Sequence, residues 1–400
     1  MLLSTFPSQL PTESEITRLR EVFVDCSSGH VFLNQLQIYP STQERTAAPL
    51  SFAIACLASV HCRHAEAEAR DLFLASRGLG GALMEIDNAE SRSPDLLVAV
   101  MTMMILVRHP DIWDKSGQTL CTATTIARRM RFHNPKRSAS LPGRSLTVWS
   151  GPLMHCLWLI NIIQAIHFDL SAMLFTSQEL CTPMPTSSFN FQDVYRVLLS
   201  GNQPVCPVPL GPSGSLKSED GLLLLMALLS DLLYLRQSFE QVSSPTTKIG
   251  YNPFVPFTPH MEQESMESRL SLALETWYTW FKADVSSEVL ALYYYSRMCL
   301  YYDRLLALQS FAGYGGHGSS ASLPKGMSIT DEAFREAWRV LDNAAARTQP
   351  AWADRLCPIW LPSVVFHAGL VVWAHHVLHN DVSHRHAERG SVRVLQAFKV

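Results

Sequence analysis

Along most of this chain apolar residues recur every three to four positions, and that period leaves little room for anything but helices. The spacing predicts helices over 50–77, 94–107, 114–131, 148–170, 219–240, 261–282, 286–311, 331–347 and 362–380, with shorter ones over 193–199 and 386–398. In the 148–170 helix, Trp149, Leu153, Leu157, Ile160 and Gln164 fall near one stripe. No run of Val, Ile, Thr and aromatic residues alternates with polar ones between turn signals, so strands are not expected. The expected fold is all-α: a large, irregular multi-helix domain of about ten or more helices with no significant sheet. Self-similarity at a fixed period is absent, which argues against a solenoid.

Stretches rich in Pro, Gly and Ser at 134–144, 201–218, 243–260 and 311–325 read as loops. The 201–218 loop is expected to separate a first helical half, 49–200, from a second, 219–400, after an N-terminal segment over 1–48. A chain of 400 residues can bury roughly three quarters of its unfolded surface, so its core needs neither disulfides nor metal. Its hydrophobic share of 47% excludes disorder over the whole length. Charged residues are only 17%, below the ~25% usual for soluble domains, which leaves apolar surface for a partner. Net charge is −3, without the basic excess of a protein that holds nucleic acid electrostatically. The nine cysteines are scattered, with no C-x-x-C, and the start of the chain lacks a signal-peptide pattern. Reduced, buried thiols in an intracellular protein are expected. The apolar runs 151–170 and 221–235 are interrupted by polar residues and read as buried helices, with no membrane partner.

Motifs that carry chemistry are few. GYGGHG at 313–318 satisfies G-x-G-x-x-G, but a helix precedes it and SSASLPKG follows. A dinucleotide fingerprint needs a strand before it and a helix N-terminus after it, so this reads as a loop. GPSGS at 211–215 lacks the G-x-S-x-G spacing. Glu262, Glu264 and Glu267 cluster at a helix start, where negative charge is favoured anyway. No catalytic or cofactor-binding residue is assigned. His375 and His379 lie four apart on one helix face, the spacing of two metal ligands, with His376, Asp381, His384 and His386 nearby. A site needs a third convergent ligand, and the plainer reading is a polar helix end. His61 and His64 accompany Cys56 and Cys62, which point to nearly opposite helix faces and do not converge. Arg128, Arg129, Arg131, Lys136, Arg137 and Arg144 form a basic patch without an acid. It suits nuclear import or phosphate contact, although a solvated helix end accounts for it as well.

The segment PLSFAIACLASVHCRHAEAEARDLFLASR at 49–77 combines an apolar small-residue helix with A-x-x-L/F-x-x-A/S-R. A second helix over 93–106, an Ala-rich one over 122–133 and an aromatic one over 149–169, with Trp early and Asp169 late, come next. SQELCTPMP at 177–185 supplies Glu179 and Pro185, and 219–237 and 362–379 complete the series. Together, over roughly residues 15–380, these pieces resemble the fungal-specific transcription factor domain found downstream of zinc-cluster or C2H2 fingers. SAMLFTS at 171–177 stands where the family has Gly-Arg-Pro after the Asp. The resemblance implies an all-α regulatory domain of a transcription regulator, acting in the nucleus and controlling genes such as a metabolic cluster. It implies protein partners (a second copy or a DNA-binding regulator) and a small-molecule effector. Neither six close cysteines nor paired Cys and His occur before residue 50, so the DNA-reading finger is absent. The expectation is therefore a regulatory domain without its reader, truncated or repurposed, with weak or no direct DNA binding by this chain alone. Zinc is expected only with an upstream finger. The alternative is a small-molecule-binding protein or enzyme on the same scaffold, in the cytoplasm.

Overall fold

The computed structural model describes residues 10–27, 47–61, 66–86, 94–105, 116–130, 132, 147–168, 176–200, 216–243, 259–302, 305, 308, 328–346 and 358–379. Among them 85% are helical, in 12 helices with no strand, as the periodicity predicts. A lone antiparallel bridge pairs Pro183 with Asn190. The chain divides into two compact units. The first comprises Met1–Gln164, Leu174–Gln192 and Ala351–Ile359, and the second comprises Ala165–Met173, Asp193–Pro350 and Trp360–Val400. The loops expected at 134–144 and 311–325, most of those at 201–218 and 243–260, and the helix expected at 386–398 lie outside the described residues.

In the first unit the helices are α1 (Glu13–Ser27), α2 (Ala48–His61), α3 (Glu66–Ile86), α4 (Pro94–Ile105), α5 (Ser116–Arg129) and α6 (Thr147–Phe168), whose last residues pass into the second unit. The periodic pattern begins after α1, yet α1 has its own signals. Thr12 Oγ1 accepts from Glu15 N at 3.3 Å, and Glu13 and Glu15 place negative charge at the positive end of the helix. Leu19 and Phe23, four apart, are buried as α1 packs on α2. The pattern over 50–77 resolves into two helices. Small residues Ala53, Ala55, Ala58 and Ser59 on α2 are buried where α1, α3 and α4 pack around it. Ser76 Oγ donates to Pro49 O at 2.7 Å and Cys56 Sγ to Ala69 O at 3.0 Å, tying α3 to α2. The single stripe expected on α6 is a correction: residues 153–166 are buried on every side, as a helix apolar all round should be.

In the second unit the helices are α7 (Phe191–Ser200, whose first turn belongs to the first unit), α8 (Ser218–Ser243), α9 (Pro259–Phe281), α10 (Ser287–Tyr301), α11 (Asp331–Ala345) and α12 (Leu361–His379). Helix α10 is central and touches α8, α9, α11 and α12. It does not run unbroken to 311. Tyr302 is extended, at φ −140° and ψ 114°, and its side chain is buried, so the chain gives up a helical turn to place that ring in the core. Leu305 and Leu308 are helical again. Helix α11 is amphipathic, burying Ala333, Glu336, Ala337 and Val340, and it opens on Thr330, whose side chain accepts from Ala333 N at 3.1 Å. The stretch Leu361–Leu378 of α12 is long and apolar enough to cross a membrane. Over half of it is buried, and α12 packs on α10 and α11, as a core helix does.

Helices α8 and α9 approach closely at Gly221. Trp277 Nε1 donates to the Gly221 carbonyl at 2.7 Å, and a Cβ on Gly221 would lie 2.8 Å from Cδ1 of Phe281, itself buried. Helix propensity favours Ala over Gly by about 1 kcal/mol, whereas overpacking a buried ring costs about 1–3 kcal/mol. Gly221→Ala is therefore expected to lower stability by about 1 kcal/mol net. Urea unfolding checks this, and a variant more stable than the parent would refute the close approach.

Candidate functional site

The polar groups carried into the helical core of the second unit collect around α10. Tyr295 and Cys299, four apart, share one face of α10; Arg236 comes from α8 and His367 from the middle of α12. The Tyr295 hydroxyl lies 2.9 Å from His367 Nδ1, and the two rings stack with centroids 5.8 Å apart. Tyr295 is also hydrogen-bonded to Cys299. All three side chains are buried. Burial pushes the Cys299 thiol up to about 11, against the pull of the Arg236 charge and the Tyr295 hydrogen bond. Burial likewise holds the Tyr295 phenol well above its ordinary value. Both groups are protonated at neutral pH. A thiol in that state is a weak nucleophile.

Arg236 stands apart within this cluster. Its Nη2 donates to Leu300 O at 2.9 Å, whereas Nε and Nη1 are buried and have no hydrogen-bond partner. Among the described residues no carboxylate pairs with it. A second cluster on the same unit shows the ordinary arrangement. Arg297 Nε lies 3.1 Å from Glu336 Oε1, its other nitrogens reach the Tyr293 and Tyr301 hydroxyls at 3.4 and 3.0 Å, and Glu275 lies 3.7 Å away. Arg339 adds a further 3.1 Å contact to Glu336. Trp277, Tyr293 and Tyr278 stack beside this network at centroid separations of 5.4 and 4.9 Å. Every charge there is answered, which is the pattern of a structural tie.

The residues singled out in the sequence are dispersed. Arg128 and Arg129 are exposed at the end of α5, and Arg128 lies 3.4 Å from Glu179. An exposed pair at that distance contributes at most about 1 kcal/mol. Arg131, Lys136, Arg137 and Arg144 lie outside the described residues, as do the 211–215 and 313–318 motifs and the side chains of His61, Cys62, His64, Glu262 and His379. His375 is not an exposed helix-end residue. Its ring stacks on Phe334 with centroids 4.0 Å apart, its Nε2 is 3.4 Å from Asp331 Oδ1, and its side chain is 12% exposed. Its neighbour His376 is exposed. Among the described residues no three metal-ligating side chains gather into a group. Sequence reasoning missed Arg236, Tyr295, Cys299 and His367. The one signal was a lone cation after LLLLMALLSDLLYL, which reads as an ordinary helix-end charge.

Compared with known proteins, the chain matches no protein-family model, no curated protein and no solved structure.

In the first unit, His155 on α6 is buried with Nε2 2.7 Å from Thr182 Oγ1, and burial lowers its pKa from 6.5 to about 3. The unfolded chain takes up this proton below pH 6.5 and the folded one only near pH 3. Stability is therefore full above pH 6.5 and falls as the pH drops through that window, by up to about 1.4 kcal/mol per unit. Thermal midpoints against pH should show this slope, flattened in His155→Gln; an unchanged slope would refute it. The stacked His375 carries a further expectation. His375→Ala should cost about 1 kcal/mol through the lost ring contact, while His376→Ala should stay within about 0.5 kcal/mol of the parent. Equal denaturation midpoints for the two variants would contradict the stacking.

Proposed function

We propose that this chain is the effector- and partner-binding regulatory domain of a fungal-type transcription regulator, acting in the nucleus on genes such as a metabolic cluster. The observation that carries the reading is that most of the family-like segments coincide with helices, five of them consecutive. The 49–77 pattern falls on α2 and α3, 93–106 on α4, 122–133 on the end of α5, 149–169 on α6 and 362–379 on α12. In this reading the protein partners of the domain are a second copy or a DNA-binding regulator. The alternative, a small-molecule-binding protein or enzyme on this scaffold, is favoured by one observation, the unmatched nitrogens of Arg236.

Tethering tests the reading. Joined to an unrelated DNA-binding domain at a reporter promoter in a fungal host, the full chain is expected to change transcription at least threefold. A well-expressed nuclear fusion that leaves the reporter unchanged would remove the regulatory reading in favour of the alternative.

A further inference from the structure

We propose that Arg236 anchors a carboxylate-binding site in the second unit, where an organic monocarboxylate seats its anionic group on the guanidinium beside Tyr295 and Cys299. The inference holds under either reading of the function, and rests on the regulatory one only in calling this ligand an effector. Three properties of the residue lead to it. Its charge is permanent, because a guanidinium does not give up its proton in a protein. Its described neighbours carry no negative charge: Leu232, four residues back on the same face of α8, and Leu235 beside it are buried, and Tyr295 and Cys299 are protonated. Two of its three nitrogens are buried without a hydrogen-bond partner. Buried polar atoms left so in a native protein call for an explanation, an absent water or ion being the usual one. Water would satisfy the donors, whereas an anion would answer the charge as well.

The geometry of the group selects the ligand class. Five N–H bonds lie in the guanidinium plane, and one is spent on Leu300 O. Whichever edge of the fork that bond occupies, one pair of parallel N–H groups remains, and a planar carboxylate accepts such a pair in two parallel hydrogen bonds. The charge count points the same way. One cation is neutralised by one carboxylate, whereas a phosphate dianion would leave a net negative charge among leucines and neutral thiol and phenol groups. The buried hydrocarbon around α8 suits an organic acid over a small inorganic anion. Arg236 itself is only partly buried as a whole residue, so part of its side chain meets solvent.

The test uses the purified full chain. Thermal midpoints are measured with sodium acetate, sodium benzoate, sodium phosphate or sodium chloride at matched ionic strength and pH, for the parent, Arg236→Met and Arg236→Lys. Both carboxylates should raise the parent's midpoint beyond chloride and phosphate, benzoate acting at lower concentration than acetate. Arg236→Met, which replaces an uncompensated charge with an apolar chain of similar length, should be at least as stable as the parent without carboxylate and should lose the carboxylate response. Arg236→Lys, which keeps the charge but not the fork, should respond at tenfold or higher concentrations. Three outcomes overturn the site: no carboxylate effect on the parent, an equal effect on parent and Arg236→Met, or a phosphate effect as large as benzoate's. Loss of stability in Arg236→Met without carboxylate also overturns it, because the arginine would then be a structural tie to Leu300. None of these results bears on the tethered reporter, so the regulatory reading stands or falls separately.

Discussion

A helix can be buried on all sides because its backbone hydrogen bonds close within it, but any polar side chain it carries inward must then find a partner across to another element. This constraint governs both units. Helix α6 is buried around its whole circumference over 153–166, and α8 is buried without interruption over 220–230. Apolar side chains alone would let such helices rotate or slide with little change in buried area. The polar exceptions remove that freedom. His155 meets Thr182, Trp277 meets the Gly221 carbonyl, Tyr295 meets His367, and Arg297 meets Glu336. Each contact fails if a helix turns by a fraction of a turn, since an unmet buried partner costs about 1–3 kcal/mol. The apolar residues supply the drive to collapse, and these few contacts choose one packing among many.

The same division decides what could be read from the sequence. Helix existence was legible because period and length are local properties, and the boundaries of α6, α9 and α12 lie within two residues of those predicted. Helix α1 is faint in the sequence because only Leu19 and Phe23 are fully buried among charged residues, and its cap at Thr12 is a weak signal beside the apolar runs that follow. The break at Tyr302 had no Gly or Pro to announce it; the core's demand for a ring at that point overrides local helix preference. The site was not legible at all. Tyr295 and His367 are 72 residues apart, and Arg236 and Leu300 are 64 apart. Nothing in either local pattern says that these helices meet. The setting of His375 is hidden from the sequence for the same reason: its stacking partner, Phe334, sits on a different helix.

Arg297 and Arg236 show how one residue type serves two purposes within one unit. Both send a guanidinium toward α10 or out from it, and both are partly shielded from water. Arg297 is surrounded by acceptors from three helices, two of them carboxylates, so its charge is closed off and its role is to hold α9, α10 and α11 together. Had the fold needed Arg236 for the same purpose, one carboxylate on a facing turn of α10 would have sufficed. The facing positions instead carry Tyr295 and Cys299, which hold no negative charge at neutral pH. The Nη2 bond to Leu300 O, in the last turn of α10, gives folding a use for one of the Arg236 nitrogens, and Nε and Nη1 remain unmatched. A permanent charge with open donors, set among groups that cannot neutralise it, makes physical sense as one half of an interaction whose other half arrives with a ligand.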